Sequence, residues 1–309
     1  MSRIHEALKK AEQERAANLG QSGGRVETVP APTFEPIGNS DRAIASSLVM
    51  SGAAPTMALS PEISLARSRQ TQWSPDPKTM LFFSSEEHAP GMEEFRTLRT
   101  RLYQAREKQP LSKLLVTSAL PKEGKSFTSA NLAQVIVRQH GKRALIIDAD
   151  LRNPQLHGLL GAEPGPGLSE YLRSESDECS IMQRGPMENL FFIPAGRANG
   201  NPAELIANGR MKALLNRVEP MFDWIIVDSP PSVLVSDAGQ IANYCDGVLL
   251  VVRSNATPID AAKRARKEFA ERNVVGVVLN GINTELSPYS QYYYPAYGSQ
   301  NTNNEAVTN

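Results

Sequence analysis

The chain has 309 residues, and its 33 Lys and Arg residues balance 33 Asp and Glu residues. This balance excludes the overall positive field that is expected of a nucleic-acid-binding protein. Cys179 and Cys245 lie far apart and show neither metal nor disulfide spacing, which favours a reducing cytosol. No apolar run approaches the ~20 residues that a membrane-spanning helix needs, so we expect no direct membrane span.

The N-terminal part of the chain is predicted to lie outside any compact domain. Residues 2–18 are predicted to form a short helix, with Ile4, Leu8 and Ala11 along one face. This narrow face favours a docking helix over one that lies on a membrane, and a terminus without function is the alternative. Residues 19–85 lack periodicity and are rich in Pro, Ser, Ala and Gly, which predicts a disordered or loosely attached linker.

From about residue 86 the sequence predicts alternating helices and strands. After a helix in "EEFRTLRTRLYQAR", strands are predicted at 113–118, at 143–148, near "LFFIPAG", and at 223–228, 247–252 and 274–280. The intervening helices are predicted at 125–139, 203–218 and 259–272. Continuous apolar strands that alternate with amphipathic helices are typical of a parallel sheet covered on both faces. Right-handed crossovers then predict a doubly wound α/β domain over 86–286, followed by a tyrosine-rich tail over 287–309.

A phosphate-binding loop is predicted where the strand "KLLVTS" runs into "ALPKEGKSFTSANLA". The free N–H groups of a helix N-terminus bind phosphate oxygens, and Gly124 lets the backbone approach closely. Lys125 is expected to reach the β- and γ-phosphates, and the Ser126 hydroxyl to coordinate Mg²⁺. The standard pattern G-x-x-x-x-G-K-[ST] begins with a glycine where this chain has Ala119. The alternative is a helix that begins at a glycine and exposes its lysine.

Three aspartates follow buried strands: Asp148 and Asp150 in "ALIIDADLRNP", and Asp228 in "DWIIVDSPP". Ligands bind at the carboxyl ends of parallel strands, so we expect all three beside the phosphate-binding loop. Clustered carboxylates repel one another unless a cation neutralises them. This predicts a Mg²⁺–nucleotide site in which Asp228 holds the metal directly or through water. Taken singly, each aspartate could instead be a helix cap or a turn residue.

In this order, "SALPKEGKSFTSANLA", "LIIDADLRNP" and "WIIVDSPPSVLVSDA" resemble the Walker A, second Walker-type and Walker B motifs of the bacterial tyrosine kinases of capsule and exopolysaccharide loci. The tyrosine-rich tail and "EEFRTLR" add to the resemblance, which covers roughly residues 86–297. The segment "MSRIHEALKKAE" is similar to that of family members linked to the exosortase system. The resemblance implies a P-loop NTPase-like fold, with ATP and Mg²⁺ as cofactors.

The resemblance also implies an activity. Family members phosphorylate their own C-terminal tyrosines, usually in trans within a ring, and thereby regulate the chain length and export of exopolysaccharide. The implied phosphate acceptors here are the tail tyrosines Tyr289, Tyr292, Tyr293, Tyr294 and Tyr297. Related kinases work with a membrane-spanning chain-length regulator. This implies a cytoplasmic protein at the inner face of the plasma membrane, held there through that partner.

Roles for individual residues follow from the same resemblance. Lys125 handles phosphates, Asp148 accepts or orients the proton of the attacking tyrosine hydroxyl, and Arg152 is a charge or structural partner. Ser126, Asp150 and Asp228 support the metal. The implied nucleotide-binding set is Glu123, Gly124, Lys125, Ser126, Phe127 and Asn280. An Asn in the last position contacts adenine in related ATPases, although a turn-forming Asn-Gly pair is an equally good interpretation.

An oligomer interface is implied by the pattern Glu93-x-x-Arg96-x-x-Arg99, which family members carry between subunits. This spacing places the side chains along one side of a helix. Arginine suits bidentate pairing to a neighbour's carboxylates, whereas the alternative is a solvated charged face.

Two other functions are compatible with the Walker motifs. One is an ATPase switch resembling the chromosome-partitioning ATPases, which carry a signature lysine early in the loop. Leu120 occupies that position here, and Lys122 lies at a different offset. The other is a nucleotide-gated scaffold for polysaccharide export machinery.

Overall fold

The computed structural model describes residues 65–83, 91–197 and 199–282. The predicted helix at 2–18, most of the predicted linker and the tail tyrosines lie outside these ranges. Within them, no helix is both long enough and apolar enough to cross a membrane.

The centre of the described domain is an eight-stranded sheet. Its strands in chain order are β1 (Arg69–Gln70), β2 (Lys113–Ser118), β3 (Ala144–Asp148), β4 (Gln183–Arg184), β5 (Leu190–Ile193), β6 (Trp224–Asp228), β7 (Gly247–Arg253) and β8 (Val274–Asn280). In space they follow the order β1-β4-β5-β3-β6-β2-β7-β8. Neighbours are parallel except β4 and β5, which are antiparallel. The predicted α/β fold with a mostly parallel sheet is confirmed.

Helices cover both faces of this sheet. The described ones are α1 (Met92–Lys108), α2 (Lys125–Val137), α3 (Leu156–Leu160), α4 (Leu168–Leu172), α5 (Glu178–Ile181), α6 (Pro202–Ala207), α7 (Arg210–Val218), α8 (Asp237–Ala242) and α9 (Ile259–Glu268). Leu114 of β2 packs in one apolar cluster with Leu132 of α2, and Leu115 packs in the other with Leu214 of α7. Burial on both faces explains why the strands are continuously apolar.

The prediction of one continuous helix over 203–218 is wrong, because the structure has two helices there, α6 and α7. Gly209 precedes α7 with a φ of 83°, a left-handed conformation that glycine adopts without steric cost. The Asn208 side chain accepts a hydrogen bond from the Arg210 N–H at 2.9 Å. The Asn-Gly pair therefore ends one helix and begins the next.

The predicted linker is wrong for residues 65–83, which are part of the domain. β1 adds to the sheet beside β4, and the Trp73 ring packs edge-on against Phe192 with their centroids 6.1 Å apart. The Leu81 N–H donates to Asn131 Oδ1 at 2.9 Å. Side chains of α2 accept these backbone hydrogen bonds, which a neighbouring strand would accept in a sheet. An irregular segment of this kind buries apolar groups without showing any periodicity.

We expect Trp73→Ala to lower the free energy of unfolding by about 3–5 kcal/mol, as for other large buried aromatic residues. Trp73 is 7% exposed, whereas the control residue Leu234 is 58% exposed. Urea unfolding of Trp73→Ala and Leu234→Ala measures the difference. Equal stability of the two variants would mean that residues 65–83 are loosely attached after all.

Candidate active site

The predicted phosphate-binding loop and the three predicted aspartates meet at the carboxyl edge of three adjacent strands, because β6 lies between β3 and β2. In this register Asp148 is the neighbour of Asp228, and Asp228 is the neighbour of Val116. The loop that follows β2 and leads into α2 therefore begins beside both aspartates. The chain forms β2 first, then β3, and only later inserts β6 between them, which brings residues from distant parts of the sequence together.

The phosphate-binding loop is shaped by its backbone conformation. Gly124 caps α2 with a φ of 94°, and a Cβ at this position would lie 2.0 Å from Asn280 Nδ2. Asn280 Nδ2 donates to the Glu123 carbonyl at 2.9 Å, so this side chain holds the loop. Lys122 has a positive φ of 64°. Ala119 is buried with Leu250, which explains why an alanine methyl group fits the first position of the pattern.

We expect Gly124→Ala to lose stability and nucleotide affinity together. The new methyl group would displace Asn280, and the left-handed backbone would cost about 1–3 kcal/mol. Gly158→Ala is the matched control, because a Cβ there meets nothing within 4 Å. Thermal unfolding and ATP binding of the two variants are compared. Wild-type ATP affinity in Gly124→Ala would contradict the assigned loop geometry.

The side chains of Glu123 and Phe127 support the loop from within the domain. Glu123 Oε2 accepts the Leu120 N–H at 2.8 Å, and its other oxygen accepts the Thr257 hydroxyl. The Phe127 ring packs against Phe95 with their centroids 5.7 Å apart. Both side chains make contacts within the domain, so these residues would bind a phosphate through their backbone N–H groups.

Lys125 points into the group of carboxylates. Its Nζ lies 2.9 Å from Asp150 Oδ2 and 3.7 Å from Asp228 Oδ2. Burial alone would lower the pKa of Lys125, but the carboxylates of Asp228 and Asp150 outweigh it and raise the pKa above its ordinary value. Lys125 therefore keeps its positive charge at neutral pH despite its burial.

Asp228 is fully buried and accepts hydrogen bonds from two hydroxyls of α2. Ser126 Oγ donates to its Oδ2 at 2.5 Å, and Ser129 Oγ lies 3.1 Å from its Oδ1. Burial raises the pKa of Asp228, while Lys125 and the serine hydroxyls oppose the rise. Sequence reasoning missed Ser129. The available signal was a small hydroxyl one helical turn after Lys125.

Asp148 is buried at the end of β3, and it organises the loop that follows. Its Oδ1 accepts the Asp150 N–H at 3.2 Å, and its Oδ2 accepts the Leu156 N–H at 3.1 Å. Burial, and then the negative charge of Asp228, hold the pKa of Asp148 well above its ordinary value. A carboxyl whose pKa is raised binds a proton more readily than an ordinary aspartate, which suits it to exchange a proton with a substrate.

Arg152 pairs with an aspartate that sequence reasoning did not select. Its Nε and Nη2 donate to the two oxygens of Asp237 at 2.8 and 3.0 Å. Asp237 is fully buried in the first turn of α8. This bidentate pair joins the loop after β3 to the segment after β6.

The residues present fit a nucleotide with its magnesium ion. The three carboxylates of Asp148, Asp150 and Asp228 surround one ammonium, that of Lys125. This cluster of side chains therefore contains more acidic than basic residues. Within the described ranges, no three His, Cys, Asp or Glu side chains could hold a metal by themselves. Mg²⁺ commonly combines one or two carboxylates with water and phosphate oxygens, and the Ser126 hydroxyl beside Asp228 offers oxygen ligands of this kind.

Comparisons with known proteins identify the family. No family model matches the chain. Tyrosine-protein kinase YwqD of Bacillus subtilis is 36% identical over 210 residues, which are 67% of this chain and 86% of YwqD. The chain belongs to the bacterial tyrosine-protein kinases. The resemblance seen in the sequence motifs is thereby confirmed.

Two further matches show how much of this tyrosine kinase is shared. Tyrosine-protein kinase Wzc of Salmonella typhimurium is 32% identical over 212 residues, 68% of this chain, but the match spans only 29% of Wzc. The kinase domain of the Escherichia coli tyrosine kinase ETK is 34% identical in sequence and superimposes with a TM-score of 0.59. That match covers 62% of this chain and 75% of the ETK domain.

The predicted interface residues of the kinase make contacts within their own subunit. Arg96 forms an ion pair with Glu93 one turn earlier in α1, and both side chains are partly exposed. Arg99 Nη1 donates to the Val135 carbonyl at 2.8 Å, near the C-terminal end of α2. Arg99 therefore fastens α1 to the helix that begins at the phosphate-binding loop.

Proposed function

We propose that this kinase transfers the γ-phosphoryl group of ATP to tyrosines in its own tail, residues 287–309. The observation that carries the proposal is the group formed by Lys125, Asp150 and Asp228 beside the left-handed Gly124. Phosphoryl transfer needs mainly positioning and charge neutralisation, which these residue types supply.

Each residue has a separate task in this proposal. The backbone N–H groups that follow Gly124 bind phosphate oxygens, and Lys125 places its retained positive charge on them. Ser126, with Asp150 and Asp228 directly or through water, would hold the magnesium ion. When bound, Mg²⁺–ATP supplies the phosphoryl group and neutralises charge that develops on it. Asp148 accepts or orients the proton of the tyrosine hydroxyl, and its raised pKa favours this task.

The proposed experiment uses the purified full chain with ATP and Mg²⁺. Phosphotyrosine should appear in residues 287–300, as measured by an anti-phosphotyrosine blot and peptide mass spectrometry. A variant with the five tail tyrosines replaced by phenylalanine is the control, and it should give no signal in this segment. Absence of phosphotyrosine from the tail of the wild-type chain would refute the proposal.

We further propose that the tail reaches the site of a neighbouring subunit in a ring, with α1 at the interface. Arg96→Ala combined with Arg99→Ala should then reduce the mass measured by light scattering. Arg101→Ala is the matched control, since it removes an exposed arginine from the same helix. Because Arg99 also contacts Val135, Arg96→Ala alone separates interface loss from loosening of α1. An unchanged mass in the double variant would exclude α1 as the interface.

The remaining proposals concern the cellular setting. The kinase acts with a membrane-spanning chain-length regulator and so works at the cytoplasmic face of the plasma membrane, regulating polysaccharide export. The segment 2–18 is proposed to dock on this partner. Co-purification of the full chain and of a chain lacking residues 1–20 with the regulator tests this. Equal recovery of the regulator would refute a docking role for the segment.

A further inference from the structure

An exposed apolar strip lies at the β8 edge of the sheet. The described residues include five large hydrophobic side chains that are strongly exposed, and four of them belong to this region: Ile259, Val277, Leu279 and Ile282. Their exposed fractions run from 52% to 73%. Scattered exposed hydrophobic residues are ordinary, whereas a concentration of them marks an interaction surface.

The packing of α9 explains why this strip is uncovered. Ala265 of α9 packs on Leu250 of β7, so the helix lies over β7 and not over the edge strand. On β8, Val277 is the register partner of Leu250, and Leu279 is the partner of Val252. Val277 and Leu279 are two residues apart and therefore point from the same face. Among the residues that the structure describes, no helix covers this face of β8.

One flank of α9 borders the strip and carries positive charge. Glu268 lies toward α8, since a Cβ on Gly239 would be 3.2 Å from its Oε1. Ile259 and Arg266 are seven residues apart and therefore lie on the same side of the helix. Arg266 and Glu268 are two residues apart and lie on nearly opposite sides, so Ile259 and Arg266 are on the side away from α8. Arg266 and the adjoining Lys263 are both exposed. Lys263 takes part in none of the ion pairs found among the described residues.

The backbone of β8 is also available. β8 stands at the end of the strand order and pairs with β7 alone among the described strands. The outer N–H and C=O groups of such an edge can pair with an extended peptide. A ligand of this strip would therefore be an extended segment with apolar or aromatic side chains and negative charge.

The chain's own C-terminal segment has this chemistry and begins at this place. Ile282 is the last described residue and follows β8 by two positions. Residues 283–309 contain five tyrosines, and their charged side chains are Glu285 and Glu305, with no Lys or Arg. A strand advances about 3.4 Å per residue, so the tyrosine segment can run back along the seven residues of β8 after a short turn.

We propose that this strip, together with Lys263 and Arg266 on its border, docks the tail of the same chain. Tyrosine rings lie on Val277 and Leu279, and phosphotyrosine is held by Lys263 and Arg266. A phosphorylated tail that is docked no longer competes with unphosphorylated tails for active sites. The phosphate part of this inference rests on the proposed tail phosphorylation, whereas docking of the unmodified tail does not.

Hydrogen–deuterium exchange of the full chain tests docking of the unmodified tail. Backbone amides of residues 287–297 should exchange about tenfold more slowly than in Val277→Ser combined with Leu279→Ser, because a tenfold change corresponds to a modest binding energy. Leu234→Ser is the control, since Leu234 is equally exposed but lies on another segment. Equal tail exchange in all three chains would overturn the inference. So would protection that grows with protein concentration and mass, because the occupant would then be a second copy.

A synthetic peptide of residues 287–300 carrying phosphotyrosines tests the phosphate part. It is added to a full chain whose own tail tyrosines are replaced by phenylalanine. Fluorescence anisotropy should show about tenfold weaker binding after Lys263→Glu with Arg266→Glu, because charge-assisted hydrogen bonds are lost. The exposed Lys212 of α7 gives the control Lys212→Glu. Equal binding by both variants would overturn the assignment. Since synthesis installs the phosphates, a failed kinase reaction leaves this result unaffected.

Discussion

Lys125→Met should reduce tail phosphorylation by about 100-fold or more, since removal of a charged group aimed at the reacting phosphate costs that much in comparable sites. The Lys125 ammonium is the cation that contacts Asp150 at 2.9 Å and lies near Asp228. Initial rates of phosphotyrosine formation, measured with the full chain under saturating ATP, provide the comparison. The raised pKa of Lys125 means that this charge is present across the neutral range.

Lys122→Met is the matched control, because the same substitution removes an exposed lysine from the same loop. It should leave most of the activity in place. Partial unfolding could also abolish activity in Lys125→Met, because the buried carboxylates lose their counter-charge. Its stability should therefore recover as the pH is lowered and the carboxylates bind protons. Tail phosphorylation near the wild-type rate in a folded Lys125→Met chain would refute the proposed mechanism.

Asp148→Asn should lower the rate of tail phosphorylation by about 100-fold, the low end of what a general base contributes. The substitution also changes how stability depends on pH. The folded pKa of Asp148 lies above that of an unfolded aspartate, so its contribution to stability is full at low pH and is lost as pH rises through the folded pKa. As the pH rises above the ordinary aspartate pKa of about 3.9, stability should fall more steeply in the wild type than in the variant.

Urea unfolding at several pH values, without magnesium, measures these slopes. The variant also loses stability at every pH, because asparagine cannot accept both backbone N–H groups that Asp148 accepts. The slope of stability against pH separates this constant loss from the effect of titration. Asp177→Asn is the activity control, since Asp177 caps α5 by accepting the Ser180 N–H and takes no part in the carboxylate group. Equal slopes would show that Asp148 titrates normally, and full activity would remove it from the mechanism.

The strands and the phosphate-binding loop could be predicted because their signals are local. β2, β3 and β6 are buried on both faces, so each one appears as a continuous apolar run that ends in a polar residue. Because these strands are parallel, their carboxyl ends lie at the same edge of the sheet. The grouping of Lys125 with Asp150 and Asp228 follows from this rule without knowledge of any side-chain contact.

Other features could not be predicted because they depend on partners distant in the chain. Residues 65–83 have the composition of a linker, yet Trp73 is buried against Phe192 of β5. Asp237 gave no signal of its own, because its role exists only through the pairing with Arg152 across the site. The antiparallel β4 has two residues, too few to show any period.

The sequence by itself determined the fold class, the family and the residue types of the site, since periodicity and motif spacing depend on neighbours along the chain. Tertiary structure alone decided which groups Asp148 and Arg99 contact and that Asn280 holds the loop at Gly124. It also decided that Val277 and Leu279 stay exposed, because α9 packs over β7. Apolar residues on a strand predict that their side chains are buried. Only the position of the covering helix shows which of these side chains remain exposed.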